Sequence, residues 1–195
     1  PIRRMERWWE VSSFVWQLFP VDEGGKPALD IQPLDEFPHI AYLTEAIPGM
    51  VKHAKWNGAS FDLNEVASGH FYGPLDLVIV GDEIPHIMYH DHQRESFDPD
   101  LGDQTHAFRP SPFSDFWIRQ VVADPGHDGW DNAIATHNDL IYTSSIDPAA
   151  FGSTSGVEYW DSDKVESTGS GPVDCEFGTS IATDSQGNSH IAHYD

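Results

Sequence analysis

The chain has 195 residues, with 14 prolines, 16 glycines and 12% aromatic residues, a mixture that suits a single turn-rich all-β domain. Its net charge of −22, from 32 acidic and 10 basic residues, excludes nucleic-acid binding through a broad basic surface. No apolar run approaches the roughly 18 residues that a membrane-spanning helix needs, and the single cysteine, Cys175, excludes a disulfide within the chain.

Residues 1–8 hold three of the ten basic residues, and we define them as a basic N-terminal arm that precedes a domain spanning residues 9–195. On so acidic a chain, the arm is a candidate contact for an acidic protein partner or for lipid headgroups, including peripheral contact with a membrane complex. The alternative is an ordinary strand edge or a terminal overhang. The candidate binding residues of the arm are Arg3, Arg4, Arg7 and Trp8.

Two separate segments of the chain recur at one fixed offset. Residues 9–19 match residues 56–66, and residues 37–42 match residues 84–89. The first match combines an aromatic residue, turn chemistry and an alternating strand pattern. Two matches at a shared offset predict a repeat architecture, and the strand content of each unit is within the range of propeller blades.

The last stretch of the chain reads as a hairpin, with a strand over 181–183, a turn over 184–188 and a second strand from His190. Residues 133–136 match 180–183 and give a degenerate copy of it. The repeats therefore predict three full units of about four strands each, flanked by two partial units. The full units span 28–67, 75–122 and 132–168, and the partial units span 7–20 and 178–195.

The phrase from Gly178 to Asp195 and its copies resemble the repeats of exported bacterial β-propeller proteins. Blades of that family carry a Ser-Ile-Ala-x-Asp-x-x-Gly-x-x-His-Ile-x-Tyr phrase, and the resemblance is weakest over 90–130. It implies an all-β propeller fold and an extracellular or periplasmic location. Two versions stay open, namely four blades with a shared first and last blade, or a fragment of a larger propeller.

Three histidines, His39, His86 and His190, occupy one position of the repeat. A repeated residue usually means repeated packing, so we expect each ring to fill the same niche with a nitrogen bonded to a neighbouring strand. The alternative is a set of imidazoles that face one axial channel and hold a metal.

Two candidate metal sites lie close together in the chain. His90 and His92 point to the same face of a strand and are candidate ligands for Zn²⁺ or Cu²⁺, with His53 or His106 as a third ligand. Asp98, Asp100 and Asp103 surround a glycine in an acidic insertion, where carboxylate oxygens suit Ca²⁺. The alternatives are surface polar residues and an exposed acidic loop.

Residues 69–73 precede an inner strand and are expected at a blade rim. His70, Tyr72 and Arg94, or Arg109 in its place, are the residue types of a polysaccharide lyase, in which a base removes a proton beside a uronate carboxylate. No spacing supports this assignment, and the rim aromatics could instead stack on sugar rings or belong to the core.

The leading functional prediction is a non-catalytic binding or assembly module that docks on a partner protein or a glycan through its loops. Its acidic loops are candidates for Ca²⁺. The alternative is a polysaccharide-degrading enzyme, most plausibly a lyase that acts on acidic polysaccharide.

Overall fold

The structure is a computed structural model, and it describes the backbone of residues 19–32, 34–44, 46, 48–81, 83–92, 103–123, 132–147, 156–161, 164–167 and 179–193. These residues form strands and turns and contain no helix, so the all-β prediction is confirmed. Within these ranges there is accordingly no helix that could span a membrane.

Seven strands follow one another in consecutive antiparallel order. The fourth is shared, because residues 61–69 pair with the strand before it and residues 70–80 pair with the strand after it. The first sheet therefore contains three strands and residues 61–69, and the second sheet contains residues 70–80 and the last three strands. The strands are β1 (Gly25–Ile31), β2 (Pro38–Leu43), β3 (Gly49–Trp56), β4 (Phe61–Val80), β5 (Ile84–His92), β6 (Asp103–Phe108) and β7 (Ile118–Ala123).

Two further sheets follow in the chain. The third sheet has the order β11-β10-β9-β8, and the fourth is the hairpin β12-β13. The third and fourth sheets lie within the units predicted over 132–168 and 178–195, and the first two sheets extend beyond the predicted 28–67 and 75–122 at both ends. The strands are β8 (Asn132–His137), β9 (Leu140–Asp147), β10 (Gly156–Asp161), β11 (Lys164–Ser167), β12 (Thr179–Thr183) and β13 (Ser189–His193).

Strand β4 differs from the prediction, which ended one unit at residue 67 and began the next at residue 75. The strand runs unbroken for 20 residues from one sheet into the next. Its pairing register shifts between Tyr72 and Asp76, and Gly73 has a φ of 69° there. Since glycine adopts positive φ readily, the chain can bend at this point and continue as a strand.

Two tight turns explain how the last hairpins close. Asn138 and Asp139, with φ values of 50° and 66°, form the two-residue turn between β8 and β9. Between β12 and β13, Oδ1 of Asp184 accepts the backbone N–H groups of Gln186 at 2.8 Å and Asn188 at 2.9 Å. The predicted turn over 184–188 is confirmed.

Each sheet packs through an apolar cluster on the next sheet in the chain. The first and second sheets share a cluster that includes Ala41, Leu77 and Ile87. Met88 and Ile134 join the second sheet to the third, and Tyr142 and Ile181 join the third to the fourth. The first strands of successive sheets are also neighbours, since β4 contacts both β1 and β8, and β8 contacts β12.

A repeated aspartate joins the first strands of neighbouring sheets. Asp30 accepts the N–H of Ile31 at 2.8 Å and, through Oδ2, the N–H of Ile79 in the second sheet at 2.7 Å. Asp76 accepts the N–H of Leu77 at 2.9 Å and that of Ile134 in the third sheet at 2.9 Å. The two aspartates thus make the same bonds between neighbouring sheets, although the register places Asp30 opposite His39 and Asp76 opposite Met88.

Candidate functional site

The face of the first sheet that meets the second sheet carries a pair of buried histidines. His39 on β2 and His53 on β3 are each 1% exposed, and Nδ1 of His39 lies 3.0 Å from Nε2 of His53. The edge of the Trp117 ring, from the segment after β6, packs on His53 with a centroid separation of 5.5 Å. The pair is therefore enclosed between two sheets.

The second sheet repeats this pair at the matching positions. Nδ1 of His86 on β5 lies 2.9 Å from Nε2 of His106 on β6. Gln120 on β7 extends the row, because its side-chain nitrogen lies 3.1 Å from Nδ1 of His106. The expectation that His39 and His86 share one niche, with a nitrogen bonded to a neighbouring strand, is confirmed.

Burial holds all four imidazoles in the neutral form. Desolvation lowers the pKa of His39 and of His86 to about 4 and that of His106 to about 3. It also lowers the pKa of His53 well below the usual value. In each pair one ring nitrogen must donate and the other must accept, so protonating both rings would replace the hydrogen bond by repulsion.

His190 occupies the same repeat position on β13, yet its side chain is 66% exposed. It lies 3.5 Å from Oδ2 of Asp184, the residue that closes its own hairpin. Within the described ranges the fourth sheet consists of β12 and β13, so no described third strand is placed beside His190 like the strands that provide histidine partners in the first two sheets.

The segment between β6 and β7 carries the most exposed aromatic side chains of the described chain. Phe113 is 93% exposed and Phe116 is 63% exposed. Ser114 makes two hydrogen bonds within this segment. Its N–H donates to the carbonyl of Ser111 at 3.1 Å, and its hydroxyl donates to the carbonyl of Phe116 at 3.1 Å.

The base of this segment is fixed against the sheets. The guanidinium of Arg109 stacks over the Trp117 ring at 5.1 Å from its centroid, and Trp117 packs on His53 of the first sheet. Burial lowers the pKa of Arg109, although its guanidinium stays charged at neutral pH. We define residues 109–117 as the aromatic loop, a segment with an anchored base and an apolar tip.

An open pocket of about 180 Å³ lies where the chain approaches β1. Asp22 at its edge accepts hydrogen bonds from the Tyr42 hydroxyl at 2.9 Å and from the Lys52 ammonium. The hydrogen bond from Lys52, with smaller contributions from the N–H of Glu23 and from Tyr42, lowers the pKa of Asp22 to about 2. The pocket is lined by Val21, Asp22, Gly24, Gly25, Pro27, Ile40 and Tyr42.

The structure describes part of the predicted catalytic set. His70 lies on β4 opposite His92, and Tyr72 lies opposite His90, both where β4 enters the second sheet. The side chain of Tyr72 is outside the described part, and so is the whole of Arg94. The lyase assignment of these three residues stays a prediction.

Some of the predicted metal ligands are among the described residues and others are not. His90 is fully buried and Asp103 is 7% exposed, and each is placed by the pairing of β5 with β6. Asp98, Asp100 and the side chain of His92 lie outside the described residues. Among the described residues, no three His, Cys, Asp or Glu side chains are grouped to hold a metal ion. His53 and His106 each lie against another histidine, and the Ca²⁺ and Zn²⁺ sites stay predictions.

The basic arm, with Arg3, Arg4, Arg7 and Trp8, lies outside the described residues. No protein-family model matches the chain, and no curated protein is significantly similar to it in sequence. The geometry of the sheets and loops therefore carries the functional argument.

Sequence reasoning missed the aromatic loop and the partners within the histidine pairs. The signal for the loop was present, since two prolines and two serines interleave with aromatic residues between residues 110 and 117. The pairing of His53 with His39 had no comparable signal, because it depends on the register between β2 and β3.

Proposed function

We propose that this protein is a non-catalytic binding module that docks on a glycan or a partner protein through loops at one end of its sheets. The observation that carries the proposal is the aromatic loop, whose tip residues Phe113 and Phe116 are exposed while Arg109 and Trp117 anchor its base. Exposed aromatic rings on a fixed base stack on sugar rings or fill apolar pockets at little conformational cost.

The scaffold in this proposal is a β-propeller, with the four sheets as blades around a common axis. It is supported by the antiparallel order within the sheets, by the packing of each sheet on the next, and by the contacts between successive first strands. Two versions remain within the proposal, namely four blades with a shared first and last blade, or part of a larger ring. An extracellular or periplasmic setting and a contribution from the basic arm are proposed with it.

A binding assay on a polysaccharide panel tests the glycan function. We expect electrophoretic retardation by one or more neutral or acidic polysaccharides immobilised in the gel. The Phe113→Ala/Phe116→Ala double variant should bind at least tenfold more weakly, since about 1.4 kcal/mol of stacking is removed. Leu140→Ala, at an exposed residue of the β8–β9 hairpin, is the matched control and should bind like the parent protein.

Other outcomes of the assay decide between the alternatives. Retardation that the double variant retains would contradict the aromatic loop as the binding site. An increase in unsaturated-product absorbance, lost in His70→Ala, would contradict the non-catalytic proposal and support the lyase. Absence of retardation on every polysaccharide would contradict the glycan function and leave the partner protein as the ligand.

A further inference from the structure

One face of the first sheet exposes large apolar side chains, whereas the matching face of the second sheet is buried. We define the outward face as the side of the first sheet turned away from the second sheet. Leu29 and Ile31 of β1 are 61% and 53% exposed on it, whereas the corresponding Leu75 and Leu77 of β4 are 5% and 3% exposed. Leu63 is also exposed on this face, at 46%, whereas Tyr42 and Ala54 of the same face are 4% and 0% exposed.

The correspondence of these positions follows from the hydrogen bonds of two aspartates. By strand register, Leu29 opposite Ile40 corresponds to Leu77 opposite Ile87, which is on the same face of the sheet. Leu29 and Ile31 flank Asp30 as Leu75 and Leu77 flank Asp76, and the two aspartates make the same bonds to the next sheet. In the second sheet, Leu75 and Leu77 pack on the first sheet. The outward face of the first sheet thus has the residue pattern of a packed face.

The chain upstream of β1 already lies on the outward face. The ring of Phe19, the first described residue, lies 4.7 Å from that of Trp56. Asp22 then binds Tyr42 and Lys52, and both residues belong to the same face because they pair with each other. The described part of the chain therefore begins, at Phe19, against this face.

The composition of the preceding residues suits that surface. Residues 8–18 contain one charged residue, Glu10, among seven large apolar side chains. Covering such side chains is favourable by about 25 cal/mol per Å² of apolar area, both for the segment and for the face. The seven are Trp8, Trp9, Val11, Phe14, Val15, Trp16 and Leu18.

We propose that residues 8–18 of this same chain dock on the outward face of the first sheet and bury Leu29, Ile31 and Leu63. The proposal rests on the repeat geometry of the described sheets and does not depend on the ligand of the aromatic loop. A second copy of the chain, and the β12-β13 hairpin without residues 8–18, are the competing occupants.

Thermal unfolding of full-length variants tests the proposal. Ile31→Ser should lower Tm by roughly 5 °C, because it removes an isoleucine that becomes buried on docking. Leu34→Ser is the matched control, since Leu34 is exposed in the β1–β2 turn and is not on the outward face, and its Tm should change by about 1 °C or less. Trp16→Ser combined with Ile31→Ser should lower Tm by less than the sum of the two single changes.

Hydroxyl-radical labelling of the intact chain gives the direct readout. We expect Leu29 and Ile31 to be labelled weakly beside Leu34, and the Phe14→Ser/Trp16→Ser double variant to raise their labelling several-fold. Equal labelling of Ile31 and Leu34 in the parent chain would overturn the proposal. Weak labelling that Phe14→Ser/Trp16→Ser leaves unchanged would assign the face to another occupant and also overturn it.

Two further measurements identify that other occupant. If light scattering gives twice the mass of the chain and Ile31→Ser gives a monomer, a second copy covers the face. If Ala182→Arg on β12 raises the labelling of Ile31 in a monomer, the β12-β13 hairpin covers it.

Discussion

Two pairs of histidines should make the free energy of unfolding depend on pH. His39 and His53 form one buried pair and His86 and His106 form the other, and burial lowers the pKa of all four rings. In the unfolded chain, each imidazole binds a proton near its ordinary pKa of about 6.5. Between that value and about 4, the unfolded state therefore holds more protons than the folded state.

The free energy of unfolding should thus be fully retained above about pH 6.5 and fall as the pH decreases towards 4. The shift of His86 alone corresponds to roughly 3 kcal/mol over this range. Urea unfolding at pH 7, 6 and 5 measures the slope. The His86→Leu/His106→Leu variant should flatten it, whereas His190→Asn should leave it unchanged. Equal stability of the parent protein at pH 7 and 5 would contradict the prediction.

A second residue-level prediction comes from a difference between the two histidine rows. The side-chain nitrogen of Gln120 lies 3.1 Å from Nδ1 of His106. The residue opposite His53 is Asn64, whose side chain is one methylene shorter than that of Gln120. Nδ1 of His53 is buried without a hydrogen-bond partner among the described atoms. Asn64→Gln should therefore raise the free energy of unfolding by about 1 kcal/mol, and Gln120→Asn should lower it by a similar amount.

Urea denaturation of the two variants measures this pair of changes. His53→Phe with Asn64→Gln is the control, because removal of the ring nitrogen should abolish the gain. A gain that survives in the control would show that the longer amide acts elsewhere.

At the level of elements, the aspartates of the first strands hold neighbouring sheets together. The pKa of Asp76 is raised by desolvation, although two backbone N–H groups bind the carboxylate. Asp76→Ala should lower the free energy of unfolding by roughly 2 kcal/mol, because it leaves the N–H of Ile134 without its acceptor. Gln186→Ala, at an exposed residue of the β12–β13 turn, is the control and should change it by less than about 0.5 kcal/mol. A urea titration of both variants measures the difference.

The hairpin turn of the fourth sheet lies against the third sheet. Gly187 has a φ of 85°, and a Cβ atom built on it would lie 2.9 Å from Cδ2 of His137. Gly187→Ala should therefore destabilise the protein by more than Gly58→Ala. Gly58 has a φ of 94°, but its nearest neighbour, in Phe37, is 3.7 Å away.

Since both glycines have positive φ, the backbone strain is similar and the difference in Tm reports the contact with His137. We expect the difference to be about 3 °C. Equal losses in the two variants would place the turn of the fourth sheet away from His137.

For the whole molecule, the repeats predicted the succession of sheets from residue 28 onwards, because each unit carries its own alternation and turn residues, but they did not predict the unbroken strand β4. The match of His39 with His86 even located equivalent sites in two sheets. The sequence did not predict that His53 and His106 complete the pairs, since that depends on register across strands. It also did not predict the exposure of Phe113 and Phe116, because alternation indicates which strand face is buried and gives no information on a loop.

Strand β4 has a mechanical consequence. Its 20 residues are hydrogen-bonded to β3 along one half and to β5 along the other, so tension applied at one half reaches the other through a continuous backbone. No residue separates the part of β4 in the first sheet from the part in the second. In a pulling experiment, the residues from β1 to β7 should thus yield as one large extension, and the β12-β13 hairpin should detach in a separate, smaller step.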